Sequence, residues 1–445
     1  MSADLTVRFD KTCGLLGPLN AVNNGPVPGI RSQEQNNTAA YTAAGFPYAR
    51  THDANLNYTY GGPHIVDITA VFPRFEADEN DPASYDFFLT DRYLDAIRQT
   101  GAKVFYRLGQ SIEHWPKKYG ILPPPDFSKW ARICEHIIRH YTEGWADGYR
   151  WDIVYWEIWN EPDLDPDDAT DKRTWGGTER QFYDLYEIAA RHLKSRFPHL
   201  KIGGPALAGK KDWAERFLTE MKKRGVPLDF FSWHRYDTQP QKIGELCAFY
   251  RDLLDRTGYA GAESILNEWN YVRGWHHEDW HYSLRSEWGV KGASFATGVL
   301  CVCAAAPLDM LMYYDARPGA MNGFFDQIVS DLRKTYYPYF DFNVMRQAGP
   351  RVALDGGDPD VYALAVTGER EDHILLTYYS ENDDSPDKEI TVRFDAAGPC
   401  EVRCYLTDEA DNEAPVYCLT AAAEPVTLTL SAKLFDIYHI VIAKQ

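Results

Sequence analysis

Two hydrophobic periodicities alternate along most of the chain. From about residue 11 to 345, short apolar extended runs are separated by stretches with apolar residues every three or four positions. The extended runs are "CGLLGPLNAV", "YARTHD", "KVFYRLG", "DIVYWEIWNE", "LKIGGPA", "DFFSWHRY", "SILNEWN" and "DMLMYYDA", eight in all. Between them, Phe88, Leu89, Tyr93 and Ile97 share one helical face, with Gly101 placed to end the helix. Trp130, Ile133, Ile137, Ile138 and Tyr141 share another, with Ser128 as its N-cap. Further helical stretches open at Thr178 or end in glycine. Eight β/α alternations predict a (β/α)8 TIM barrel. An open doubly wound sheet is the alternative, but no GxGxxG follows the first strand.

After about Arg346 the period shortens to two. "VYALAVTGEREDHILLTYYSENDDSPDKEITVRFD", "CEVRCYLTD" and "PVTLTLSAKLFDIYHIVIA" read as strands broken by Gly, Asn, Asp and Pro turns. This predicts a C-terminal all-β sandwich. "LTVRFD" at 5–10 resembles "ITVRFD" at 390–395, so the N-terminal piece is expected to be a strand that joins the sandwich. The expected organisation is a strand over 1–10, an α/β barrel over 11–345 and a sandwich over 346–445.

Composition narrows the function. The 445 residues are 44% hydrophobic and 14% aromatic, enough for a large core with flat rings to spare. A net charge of −19 argues against a nucleic-acid or anionic-membrane partner. No run of about 18 apolar residues is present. The eight cysteines form no CxxC pair and read as reduced thiols. The N-terminus "MSADLTVRFDKT" shows no signal peptide, so a cytoplasmic location is expected. A homo-oligomer is allowed.

Barrel chemistry stands at the C-terminal ends of strands. That rule selects Arg50, His52, Asn160, Glu161, His234, Tyr236, Glu268 and the segment Tyr313–Asp315. Two of these are carboxylates placed alike, Glu161 in "WNEP" on the fourth run and Glu268 in "LNEWN" on the seventh. Those strands face each other across a closed eight-strand mouth. Paired carboxylates suit glycosidic bond cleavage, one protonated to donate, the other ionised to attack. The ordinary reading of Glu161 is a helix N-terminal acid, and of Glu268 a barrel-end ion pair. Each is preceded by Asn and flanked by Trp, and together they favour catalysis.

"WEIWNEPDL" and "ILNEWN" resemble the acid/base and nucleophile motifs of the glycoside hydrolase clan built on (β/α)8 barrels. Within it the chain is most similar to family 39, the β-xylosidase and α-L-iduronidase family. "YARTHD", with Arg50 and His52, and "SWHRYD", with His234 and Tyr236, resemble that family's motifs on strands two and six. The resemblance implies Glu161 as acid/base, Glu268 as nucleophile, Asn160 on the sugar 2-hydroxyl, and Arg50 and Tyr236 orienting Glu268. His234 and His52 would line the sugar site. It implies no cofactor, a carbohydrate substrate, and retaining exo-action with β-xylosides first. Arabinofuranosides, β-galactosides, β-glucosides and iduronides follow, and a silent sugar-binding protein is the reading from another class. The sequence departs from the family at Asp163, where Asn is usual, and at "MYYDARPG", where a tryptophan is usual. Tyr313, Tyr314, Trp275 or Trp280 would then stack on the sugar. An iduronide would need a cation from Arg285, Lys291 or Arg317.

Other segments carry weaker signals. "GWHHEDWHYS" at 274–283 is rich in His but matches no standard ligand spacing, so a substrate-covering loop is expected and no metal. "GQSIEHWPKKYG", with Glu113, His114 and Trp115, reads as a similar rim loop. "DLDPDDATD" reads as a solvated acidic loop rather than a calcium site.

Overall fold

The computed structural model describes residues 2–27, 36–54, 64–327, 331–422 and 425–445. Eight parallel strands close into a barrel. Strand β1 (Ser2–Thr12) lies outside it. The barrel strands are β2 (Ala21–Asn23), β3 (Tyr48–Arg50), β4 (Lys103–Leu108), β5 (Tyr155–Ile158), β6 (Lys201–Leu207), β7 (Phe230–Asp237), β8 (Glu263–Tyr271) and β9 (Met310–Tyr313). This is the TIM barrel that the alternation predicts.

Alternation along each strand explains both faces. Trp156 and Ile158 on β5 point outward into the large core beneath the helices. Ala21, Phe105, Tyr155, Phe230, Ile265, Met310 and Met312 fill the inside. Two residues further along their strands, the inward positions become Asn23, Arg107, Glu157, Ser232 and Asn267, all fully buried. The apolar plug therefore gives way to a polar layer just below the mouth.

Several local expectations shift. The first run contributes only Ala21–Asn23, because Gly17 and Pro18 punctuate it and Leu15 is 80% exposed. The helix Phe127–Thr142 is capped by Asp126, not Ser128. Asp126 stands just outside the first turn, where its carboxylate accepts from Lys129 N at 2.9 Å, whereas Ser128 is already helical. Phe88 opens its helix facing solvent, and Tyr93, Leu94 and Ile97 form the buried face. The His-rich segment is a helix, His277–Trp288, rather than a loop. Glu278 and Asp279 in its first turn complement the helix dipole, and Gly289 ends it.

The remaining strands are β10 (Val352–Gly356), β11 (Val361–Val366), β12 (Glu371–Tyr378), β13 (Lys388–Asp395), β14 (Cys400–Thr407), β15 (Ala414–Ala421), β16 (Pro425–Ala432) and β17 (Ile437–Lys444). They form a sheet of order β10-β1-β13-β16 facing one of order β11-β12-β17-β14-β15. β1 is parallel to β13 and antiparallel to β10. The two echoing segments pair out of step, Leu5 opposite Val392 and Val7 opposite Phe394. Leu5 and Val7 are buried in the sandwich core with Ile390, Val392, Val402, Ile440 and Ile442. All eight cysteines are free.

The helix Val290–Ala305 is buried on almost every side. It lies between barrel and sandwich, which explains its uniformly apolar sequence. Ser294 Oγ meets Thr377 Oγ1 at 2.6 Å, and Tyr379 OH donates to Thr238 O at 2.6 Å. Among the described residues no single helix is long and apolar enough to cross a membrane.

Because Leu5 is 4% exposed within the sandwich core, Leu5→Ala should lower unfolding free energy by about 2–5 kcal/mol. Phe88→Ala, at a site 66% exposed, should change it by under about 0.5 kcal/mol. Urea titration of both variants checks this, and equal effects would contradict the placement of β1.

Candidate active site

The site is built on Arg50, the last residue of β3, whose side chain is fully buried. A buried guanidinium needs acceptors, and this one has four. Nε donates to Glu157 Oε2 at 2.7 Å, Nη1 to Asn23 Oδ1 at 3.1 Å and to Glu268 Oε2 at 3.2 Å, and Nη2 to Asn160 Oδ1 at 2.6 Å. The other oxygen of Glu157 accepts from Ser232 Oγ at 2.6 Å and from Asn267 Nδ2. Asn23 Nδ2 donates to Asn267 O at 2.8 Å. The polar layer of the barrel is thus one hydrogen-bonded network centred on Arg50.

Glu268 and Glu161 sit above this layer. Tyr236 OH donates to Glu268 Oε1 at 2.6 Å. A register shift between Trp233 and His234 sets His234 opposite Glu268 on the neighbouring strand. His234 Nδ1 lies 2.9 Å from Glu161 Oε1 and 3.6 Å from Glu268 Oε2. Contact atoms of Glu161, His234 and Glu268 all lie within 4.8 Å of one another. A carboxylate pair this close matches the spacing of about 5–5.5 Å used for double displacement, not the wider spacing that admits a water between.

Burial pushes both carboxyls up to about 7. For Glu161, Arg50 opposes the rise and Asp53 adds to it. For Glu268, burial is opposed by His234, Arg50 and the Tyr236 hydrogen bond, while Glu161 adds to it. Burial holds His234 itself down to about 4, so its ring is neutral at neutral pH. The full positive charge beside Glu268 is therefore that of Arg50. With Arg50 and Tyr236 both donating to Glu268, the proton shared by the pair rests on Glu161. Asn160 spends its Oδ1 on Arg50, which leaves its NH2 group as a donor.

The backbone around Glu161 is held in an uncommon form. Trp159 has φ 75° and Glu161 φ 48°. Trp159 N donates to Leu108 O at 2.6 Å, Glu161 N to Ala206 O at 2.8 Å, and Thr174 Oγ1 to Glu161 O at 2.6 Å. Asp163 is not a solvated acid: it is 1% exposed, and it accepts from Ala208 N at 2.7 Å and Lys210 N at 3.1 Å. It ties the turn after β5 to the loop after β6, and burial pushes its carboxyl up to about 7.

The remaining sequence candidates separate into near and far. His52 is buried beside Asp53, 3.5 Å away, and burial holds its ring neutral. Tyr314 OH donates to Asp53 Oδ2 at 3.2 Å. Trp275, half exposed, packs edge-on against Tyr236 at 4.8 Å and stacks with Trp280 at 5.4 Å. His114 and Trp115 are exposed, Trp115 by 77%, and make no contact with the carboxylate pair among the described residues. Their neighbour Glu113 closes its own loop by accepting from Tyr119 N and Gly120 N, both at 2.8 Å. Glu157, Asn23, Asn267 and Asp53 escaped the sequence reading. The strand alternation carried a signal for the first three, since each stands two residues beyond an inward apolar position.

A parallel barrel bearing a buried carboxylate pair at the ends of its fourth and seventh strands has the architecture of the glycoside hydrolase class. Within that class, the model of glycosyl hydrolases family 39 matches residues 5–249, and the chain belongs to this family. A β-xylosidase of Geobacillus stearothermophilus is 29% identical over 212 residues, 44% of this chain and 40% of that protein. The matched region is thus under half the length of that relative. A glucosidase structure from Croceicoccus marinus superposes with a TM-score of 0.77 at 22% identity over 100% of both chains. A monomeric β-xylosidase from Caulobacter crescentus CB15 gives 0.72 at 16% identity over 99% of both. At these identities the structural likeness is one of fold.

The raised carboxyl has a stability consequence with a definite sign. Between the ordinary value of 4.5 and about 7, the folded state holds a proton on Glu161 that the unfolded state has lost. Glu161 therefore costs stability as pH rises through that window. Glu161→Gln should be more stable than the parent at pH 8 by roughly 1–3 kcal/mol, with the gap closing towards pH 4. Urea unfolding across pH checks this, and a variant less stable at pH 8 would contradict it.

Proposed function

We propose that the protein is a retaining, exo-acting glycoside hydrolase whose leading substrates are β-xylosides. The observation that carries this reading is the close Glu161–Glu268 pair with unequal partners, Arg50 and Tyr236 both on Glu268. Glu161 gives its proton to the leaving glycosidic oxygen while Glu268 attacks the anomeric carbon, forming a glycosyl-enzyme ester. Esterification removes the negative charge from Glu268. The carboxyl of Glu161 then falls in pKa, and its carboxylate takes a proton from the incoming water. Water attack releases the sugar with its original configuration and restores both groups. The Asn160 NH2 donates to the sugar 2-hydroxyl, and Trp275, Tyr236 and Tyr314 wall the site.

Xylose as the leading sugar is supported by family membership and by the β-xylosidase relative. The cations suggested for a uronate are otherwise engaged. Lys291 pairs with Asp383 at 2.8 Å, Arg317 pairs with Asp315 at 2.9 Å, and Arg285 is exposed on the helix after β8. Iduronides therefore rank below neutral sugars.

A panel of nitrophenyl glycosides tests the proposal, with β-xyloside expected to be cleaved fastest and with retention. Glu268→Ala should lower kcat on the order of 10^4-fold. Glu161→Ala should hurt substrates with poor leaving groups most, and the parent's kcat/KM should be bell-shaped in pH, since one carboxyl must be ionised and the other protonated. Sugar binding without cleavage of any glycoside would instead make the protein a silent carbohydrate binder.

A further inference from the structure

A second cluster of titratable groups lies far from the barrel mouth, on the seam between the last barrel helix and the five-stranded sheet. Asp341 projects from the helix Tyr336–Ala348, His439 from β17, and Glu413 from the turn just before β15. Asp341 and His439 are buried, and Glu413 is partly exposed. One ligand atom from each lies within 4.8 Å of the other two. His439 Nδ1 is 2.9 Å from Asp341 Oδ1.

Two carboxylates converging in a buried seam need a proton or cation between them. Without an ion, burial and the hydrogen bond with Asp341 push the Glu413 carboxyl up to about 8, so a proton fills that place and a divalent ion would displace it. Arg403, which lines the same cleft, is committed elsewhere, to Glu371 at 3.0 Å and Glu401 at 3.4 Å. The ligand set itself is informative. An imidazole with two carboxylates suits a divalent transition ion such as Zn2+, whereas Ca2+ and Mg2+ prefer oxygen alone. Atoms around a tetrahedral zinc stand about 3.4 Å apart, within the spread seen here. The imidazole also has the support expected of a ligand. With Nδ1 turned to the carboxylates, its Nε2 lies 3.2 Å from His373 Nδ1, which can take the second ring proton. A cleft of about 270 Å³ lined by Glu371, His373, Arg403 and Tyr405 reaches the same three side chains, giving an entry path and room for a water ligand.

We propose that Asp341, Glu413 and His439 form a binding site for a Zn2+-type divalent ion that clips the last barrel helix to the sandwich. The ion is held by one residue from the barrel side and two from the sandwich, so its binding opposes separation of the two.

Titrating the EDTA-treated full chain with ZnCl2 alone tests this, read by calorimetry and thermal unfolding. One Zn2+ per chain should bind at micromolar or tighter affinity and raise Tm. His439→Ala should abolish both effects. Glu413→Gln, at a partly exposed turn position that the fold tolerates, should weaken binding by at least about 10-fold and leave glycosidase turnover unchanged. Glu268→Gln should keep the full response, which separates this site from the carboxylate–histidine cluster in the barrel mouth. The proposal is overturned if no saturable binding is found. It is also overturned if Glu413→Gln binds zinc as the parent does, or if Glu268→Gln removes the response.

Discussion

The site depends on one buried cation. Arg50 sits at the end of β3 with no exposure and four acceptors, drawn from β2, from β5 and its C-terminal end, and from β8. Burying a guanidinium is tolerable only when its charge and donors are met, so the network is closed by necessity. Glu157 answers the charge from the floor. Glu268 supplies a second carboxylate that the same cation must share. That surplus of negative charge, with Glu161 close by, is why the pair above holds one proton rather than none. Without Arg50, two buried carboxylates would lose their counter-charge, and both the fold and the ionisation of Glu268 would suffer.

Rigidity comes from the strands, and the departures from regular strand geometry come where the chemistry is. The shift between Trp233 and His234 turns His234 towards both glutamates. Positive φ at Trp159 and Glu161 costs about 1–3 kcal/mol each, held by the hydrogen bonds to Leu108, Ala206 and Thr174. Asp163 adds a further tie, using a buried carboxylate to satisfy two amides of the adjoining loop. The turn carrying Glu161 is therefore anchored from three sides, and the acid is presented at a fixed point over Glu268.

The barrel was legible because each strand and helix states its period locally. Glu161 and Glu268 stood out because a carboxylate ends an apolar run, which is costly unless used. Glu157 was harder, since it looks like an interruption within the same run. Only the inward alternation from Tyr155 marks it as part of the interior. The pairing of Arg50 with Asn23, Glu157 and Asn160 depends on strand closure, which no short window contains. Asp163 was misread because an acidic run suggests solvent, while the amides that bury it lie over forty residues away. The His-rich segment was read as a loop from its chemistry, although Glu278, Asp279 and Gly289 already marked a helix. Trp115 stands exposed on its loop, and its expected place on the rim rests on its position after the third strand rather than on any contact.

The central claim is that Glu268, held ionised by Arg50 and Tyr236, is the nucleophile, and Glu161 the acid. The most direct measurement is to trap the intermediate with an activated 2-deoxy-2-fluoro glycoside of the preferred sugar and map the label by peptide mass spectrometry. A single sugar ester on Glu268 is the predicted result. A label on Glu161, or no label from a sugar whose parent glycoside is cleaved with inversion, would contradict it.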